Sequence, residues 1–212
     1  VTRRLIHINA SPRGNRSRSA MVARHLLERL DDVAVETLDL DTVDLPALAG
    51  ETIEGRYALL AGEDVAGEIA ADWDRIRDMA AHFLAFDGWL ISTPAWNFGV
   101  PYRLKHYIDV ITQPGMAFSA DANGNVIGHA AHGFAIIVAA GALDTRPEGP
   151  MASLDHQAAY LQQWLGFIGV GDVHTIRVMP TFGSEDVVEA AMRQAYVEAG
   201  SLTERLSRAA RV

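Results

Sequence analysis

No cysteine occurs among the 212 residues of this chain. That excludes disulfides, thiol nucleophiles and cysteine-bound zinc or iron–sulfur sites. No apolar run approaches the about 18 residues that a membrane-spanning helix needs, so no segment is expected to cross a bilayer. Cations are the minority charge. The chain has 18 Lys and Arg against 27 Asp and Glu, a formal net charge of −9, with no long basic run. General affinity for nucleic acid or an anionic membrane is therefore not expected. Familiar catalytic signatures are also missing: there is no Gly-x-Ser-x-Gly elbow, no His-Glu-x-x-His, no Gly-Lys-Ser/Thr phosphate motif and no close carboxylate pair with an evident role. Val1-Thr2-Arg3-Arg4-Leu5 runs straight into a strand without a signal-peptide pattern, so the expected location is cytoplasmic. What remains is 49% hydrophobic and 21% charged, the make-up of one globular domain, expected over 1–212.

That domain is organised around Gly88 to Ile111, GWLISTPAWNFGVPYRLKHYIDVI. Trp89 to Thr93 is short, mostly apolar and partly β-branched, the mark of a strand buried on both faces. Pro101 sits where a first helical turn tolerates a missing N–H. After it, Leu104, Tyr107, Ile108 and Ile111 recur on one helix face. Between strand and helix, Pro94, Ala95, Trp96, Asn97, Phe98, Gly99 and Val100 form a loop holding two aromatics and an amide. At a strand's carboxyl end, such a loop suits a flat ligand.

Leu5 to Asn9 reads as a first strand, and a helix follows with Met21, Val22, Leu26 and Leu30 at apolar spacing. The loop between them runs from Ala10 to Ser19 and is rich in Ser, Gly and Asn. This is a phosphate-binding arrangement. The unpaired N–H groups of the first helical turn and the Ser17 and Ser19 hydroxyls favour an anion, and Arg13, Arg16 and Arg18 raise the local potential. Ordinary capping accounts for only one of the two serines.

Val33 to Leu38 alternates as a second strand. Asp39 to Gly62 shows no period and stays unassigned. Ile69, Trp73, Ile76, Ala80 and Phe83 mark a helix with one buried face. Asp121-Ala122-Asn123-Gly124, between short apolar runs, signals a hairpin insertion near 115–130, with Phe118 either its core peg or a substrate-stacking ring. His129 and His132 have no further metal ligands and read as solvent-exposed loop residues. Phe134 to Ala139 is another doubly buried strand. Ser153 or Asp155 can start the next helix, with Ala158, Leu161 and Leu165 inward. Val173 to Val178 is the last strand, and Glu185 to Arg208 a closing helix.

Three of these stretches, in order, resemble one family. PAWNFGVPYRLKHYID is similar to the flavin-contacting loop and helix of FMN-dependent NADH-azoreductases and related NAD(P)H:quinone reductases. INASPRGNRSRS resembles the family's phosphate loop, and AYLQQWLGFIGVGDVHTI its later helix–strand segment. The resemblance implies a flavodoxin-like fold. It also implies an FMN phosphate held by Ser11, Ser17, Arg18 and Ser19, with a ring bordered by Pro94, Ala95, Trp96, Asn97 and Phe98. Ala139, Ala140, Gly141 and Ala142 match a family loop that usually reads Ser-x-Gly-Gly. Only Gly141 is kept, so contacts there would be mainly through backbone. Phe118 and Phe167 are the candidate substrate-pocket aromatics. The resemblance further implies a homodimer with flavin sites at the subunit interface.

Five strands alternating with helices predict an α/β, doubly wound parallel sheet of order 2-1-3-4-5. Its ligand crevice would lie at the carboxyl ends of strands 1 and 3, where the order reverses, and both suspected loops converge there. FMN would carry the redox chemistry, so no catalytic side chain is required. Electrons would pass from NADH or NADPH to a quinone or azo compound, each taking its turn on the flavin. A flavodoxin-like electron carrier, or less readily a flavin-free hydrolase, is the alternative.

Overall fold

The computed structural model describes residues 2–61 and 63–209. Five strands form one parallel sheet: β1 (Arg3–Asn9), β2 (Val33–Asp39), β3 (Gly88–Pro94), β6 (Phe134–Ala140) and β7 (Asp172–Val178). Their spatial order is β2-β1-β3-β6-β7, which is the expected 2-1-3-4-5 once the two short hairpin strands are set aside. Every pairing is parallel, with Asn9 opposite Ser92 and Pro94 opposite Ala140, so the chain leaves β1, β3 and β6 along the same edge.

Alternation along the strands builds two cores. Ile6, Ile8, Trp89, Ile91, Ala135 and Ile137 face one way, towards α3 (Gly67–Leu84), α4 (Tyr102–Ile111) and α5 (Ala158–Phe167). Leu5, Leu90, Ile136, Val138, Ile176 and Val178 face the other, towards α1 (Arg18–Leu27) and α6 (Glu185–Ala209). Trp89, entirely buried, stacks on Phe83 with ring centroids 5.1 Å apart and donates its indole N–H to the Phe83 carbonyl at 2.9 Å. The aromatic ring is thus buried without leaving its polar atom unpaired.

The stretch from 39 to 62 contains a helix, α2 (Glu51–Leu60). It escaped the periodicity test because it has no apolar stripe: Tyr57 and Leu60 are exposed, and its buried members are Thr52 and Gly55. Contact with α3 holds it instead. A Cβ on Gly55 would come within 2.5 Å of Ile69, and the Trp73 indole donates to the Thr52 carbonyl at 3.0 Å.

The predicted hairpin is present as β4 (Phe118–Ala120) and β5 (Val126–Gly128), paired antiparallel. It lies on the end of α5, where Gly128 leaves no room for a side chain: a Cβ there would meet the Ile168 backbone at 2.0 Å. His129 departs from expectation. It is half-buried, and its ring joins the hairpin internally, donating through Nδ1 to the Met116 carbonyl and accepting through Nε2 from the Ser119 hydroxyl at 3.0 Å. His132 is exposed as expected, yet its Nε2 donates to the Phe86 carbonyl at 3.1 Å. Among the described residues no His, Cys, Asp and Glu group could hold a metal, and no helix is long and apolar enough to cross a membrane.

Two smaller expectations also shift. Met21 turns outward, because Ser19, Ala20, Val22, Ala23 and Leu26 form the buried face of α1. The helix expected from Ser153 or Asp155 starts later, at Ala158, after a 3₁₀ turn over Ala152–Leu154. Asp155 still caps it, accepting from the Ala158 N–H at 2.9 Å while pairing with Arg177 at 3.0 Å.

Candidate functional site

The carboxyl edge of the sheet gathers three loops. After β1, the chain makes a 3₁₀ turn over Gly14–Arg16 and enters α1 at Ser17, whose hydroxyl accepts from the Ala20 N–H at 3.2 Å. Such a cap is typically worth about 1 kcal/mol. Ser19 Oγ lies 3.1 Å from Ser17 Oγ, and Ser11, Ser17 and Ser19 are all buried. The N–H groups of Arg18 and Ser19 open the helix and have no carbonyl one turn back to receive them. Buried hydroxyls, free amides and the positive end of a ten-residue helix thus meet at one mouth, an environment suited to an anion.

The arginines divide. Arg13 and Arg16 are exposed at the rim. The Arg18 guanidinium donates to the Thr181 carbonyl at 2.8 Å, so the hydrogen bond already made fixes its side chain, and its backbone N–H is the donor it adds at the mouth.

The loop after β3 is a tight turn. Trp96 and Gly99 exchange both backbone hydrogen bonds, at 2.9 and 3.0 Å. Asn97 and Phe98, between them, have φ of 48° and 73°. Asn tolerates this left-handed region, but a phenylalanine there is costly, of order 1–3 kcal/mol. The turn presents its aromatics outward: Trp96 is 41% and Phe98 45% exposed. Tyr102, from the first turn of α4, lies with its ring centroid 6.1 Å from that of Trp96. Tyr102 was not among the residues expected to border the ring.

The loop after β6 is bound to this turn. The Ala95 N–H donates to the Ala140 carbonyl at 2.6 Å, the Gly141 N–H to the Val178 carbonyl at 3.2 Å, and the Thr181 N–H to the Gly141 carbonyl at 2.8 Å. Ala139 and Ala140 are buried, and Ala142 emerges at the surface. Farther along this loop, hydrogen bonds from Arg146 hold the Asp144 carboxyl below its ordinary pKa, and Arg146 also donates to Gln194 of α6 at 3.0 Å. Fixed charges therefore brace the loop from behind.

Beneath the first loop lies a polar cluster that no local sequence pattern signals. His7, Asn9 and Ser92 lie on the α1 face of the sheet, buried together with Ser11. His7 Nε2 is 2.9 Å from Ser92 Oγ, and Ser92 Oγ is 3.3 Å from Asn9 Oδ1. Burial lowers the His7 pKa to about 4, aided by Arg24 and opposed by Asp39, so the ring is neutral near pH 7.

Phe118 and Phe167 are brought together, with ring centroids 4.7 Å apart. They do not join the other candidates. α4 carries the chain back to the amino edge before the hairpin, and Phe167 ends α5 just ahead of β7, whose first residue pairs with Phe134 at that same edge. The pair therefore lies across the sheet from the three loops.

The flavodoxin-like fold family model matches residues 3–202. The chain is 33% identical over 210 residues to FMN-dependent NADH:quinone oxidoreductase 3 of Pseudomonas fluorescens, covering 96% of this chain and 97% of that one. It is 36% identical over 211 residues to the FMN-dependent NADH:quinone oxidoreductase of Desulfotalea psychrophila, with the same coverage, 96% and 97%. Among solved structures, an azoreductase from Bacillus anthracis str. Sterne superposes with a TM-score of 0.85 at 22% identity, covering 96% and 99% of the two chains. An FMN-dependent NADH-azoreductase from Bacillus anthracis str. Ames Ancestor, in complex with FMN, gives 0.84 at 20% identity, covering 96% and 99%.

Proposed function

Since the chain belongs to the flavodoxin-like family of FMN-dependent NADH:quinone oxidoreductases, we propose that it passes two electrons from NADH or NADPH through FMN to quinones or azo compounds. One observation carries this reading. The anion-suited mouth of α1 and the aromatic turn after β3 open at the same edge of adjacent strands, where the strand order reverses.

The donor set fits the cofactor. Ser11, Ser17 and Ser19 hydroxyls with the Arg18 and Ser19 amides would hold a dianionic phosphate. Pro94, Ala95, Trp96, Asn97 and Phe98 would border the flat ring on one side, and the backbone of Ala139, Ala140, Gly141 and Ala142 on the other. Bound FMN supplies hydride acceptance and donation. The side chains orient it, exclude water and leave one ring face to nicotinamide and acceptor in turn; none is assigned as acid, base or nucleophile. α2 and the hairpin exceed what a minimal electron carrier needs, which favours the enzyme.

Phe118 and Phe167 lie at the far edge from their own crevice, so a role beside the flavin requires a second copy of the chain. A homodimer in which each hairpin walls its partner's site satisfies this. The exposed Val126 and Ile127 of the hairpin support such a contact. A cytoplasmic setting fits the use of a nicotinamide donor.

The test is an absorbance spectrum of the purified protein before and after anaerobic NADH. Flavin bands that bleach with NADH and return with a quinone are expected. A colourless protein that takes up no added FMN would overturn the reading.

A further inference from the structure

Beneath the mouth of α1, the hydrogen bonds between His7, Ser92, Asn9 and Ser11 can be given directions, because two groups at its ends allow only one. The Ser11 N–H must donate, and it meets Asn9 Oδ1 at 3.3 Å. The Asp39 carboxylate must accept, and it meets Asn9 Nδ2 at 3.4 Å. Both fix the same orientation of the Asn9 amide. Ser92 Oγ, 3.3 Å from Asn9 Oδ1, therefore donates its single proton there. Having spent that proton, it can only accept from His7, so His7 carries its hydrogen on Nε2, 2.9 Å away. The order is His7 Nε2–H to Ser92 Oγ–H to Asn9 Oδ1, which also receives the Ser11 N–H.

We propose that His7 is a positioning residue for the cofactor phosphate, acting through Ser92 and Asn9 to hold Ser11, near the start of the phosphate loop. This rests on reading the α1 mouth as the phosphate site. The neutrality of His7 near pH 7, described above, is consistent with one fixed tautomer. Without a donor at position 7, the Ser92 hydroxyl is free to turn. Asn9 Oδ1 then loses its second donor, and the amide that receives the Ser11 N–H is held only by that N–H and by Asp39, less tightly than in the complete relay. Ser92 also accepts the Ala10 N–H through its carbonyl at 2.9 Å, so the relay and the loop entry share one residue. Ser11 would lose the orientation of its hydroxyl, which affects phosphate and not the ring.

The experiment compares FMN with riboflavin, which has the same ring and lacks the phosphate. Both are titrated into the folded 212-residue chain by quenching of flavin fluorescence, for wild type, His7→Leu and His7→Gln. Wild type should prefer FMN strongly. His7→Leu should lose about tenfold of that preference with riboflavin affinity unchanged, as expected for one mispositioned charged hydrogen bond. His7→Gln, whose amide N–H replaces Nε2–H, should restore it. If the leucine variant does not fold, Ser92→Ala removes one hydroxyl from the same relay and carries the same expectation. Equal weakening of both flavins, or an unchanged preference, would overturn the role of His7. A wild-type chain that binds both flavins alike would instead overturn the phosphate site itself, and the inference with it.

Discussion

The Ala95 amide donates to the Ala140 carbonyl at 2.6 Å, tying the aromatic turn after β3 to the loop after β6. Neither residue offers a functional side chain. Their backbones set the spacing between the two borders of the proposed ring site, so a loop without the expected serine and second glycine could border it through main-chain atoms alone. Replacing Ala140 should alter the site only where a new side chain intrudes, since the bond is between main-chain atoms.

The serine hydroxyls at the α1 mouth should carry much of the phosphate affinity. Charge-assisted hydrogen bonds of this kind contribute about 1.5–3 kcal/mol. The double variant Ser17→Ala, Ser19→Ala should therefore bind FMN at least about tenfold more weakly. It should also lose about 1 kcal/mol of stability with the cap. Flavin titration and thermal melting measure the two separately, and undiminished FMN affinity would place the phosphate elsewhere.

Stability should depend on pH through His7. Its folded pKa is about 4 against an ordinary 6.5, so the unfolded chain binds the proton more readily between these values. The contribution of the buried neutral ring is then complete above about pH 6.5 and is lost as pH falls towards about 4, amounting to about 3 kcal/mol. Asp39 and Arg24 both face this ring, so their charges belong to the same balance. Melting temperatures from pH 7 to pH 4 should fall less steeply for His7→Gln than for wild type. Identical slopes would mean that His7 does not titrate as described.

If nicotinamide and acceptor share one exposed ring face, they exclude each other. Initial-rate measurements with both substrates varied should give parallel double-reciprocal lines. Intersecting lines would require both to be bound at once.

The separation of Phe118 and Phe167 from their own crevice permits a complementation test of the dimer. Sedimentation should first show about twice the 23.0 kDa chain mass. Mixed dimers of Phe118→Ala with the Ser17→Ala, Ser19→Ala chain should then be more active than either parent. In such a pair, one crevice has both an intact phosphate loop and an intact Phe118 facing it. No recovery on mixing would show that each site is completed within its own chain.

The main frame was legible because β1, β3 and β6 are buried on both faces and therefore read as apolar runs, and because α3 and α4 repeat with helical spacing. α2 was not, since the buried residues of its contact face are Thr52 and Gly55, which do not register as a repeat of large apolar side chains. The serine mouth and the aromatic turn stood out as polar or aromatic residues at strand ends. His7, Asn9 and Ser92 looked like interruptions of buried strands; only parallel register, with Asn9 opposite Ser92 and His7 opposite Leu90, brings them into one cluster. The direction of the Arg18 side chain depended on Thr181, 163 residues away, and no local pattern encodes that.

The left-handed pair Asn97 and Phe98 has a kinetic consequence. A turn locked by reciprocal Trp96–Gly99 bonds is already shaped when a flavin arrives, so its conformational search is completed during folding. Cofactor capture should then follow a single second-order phase, its rate rising linearly with FMN concentration and never reaching the plateau that a slow loop rearrangement would impose.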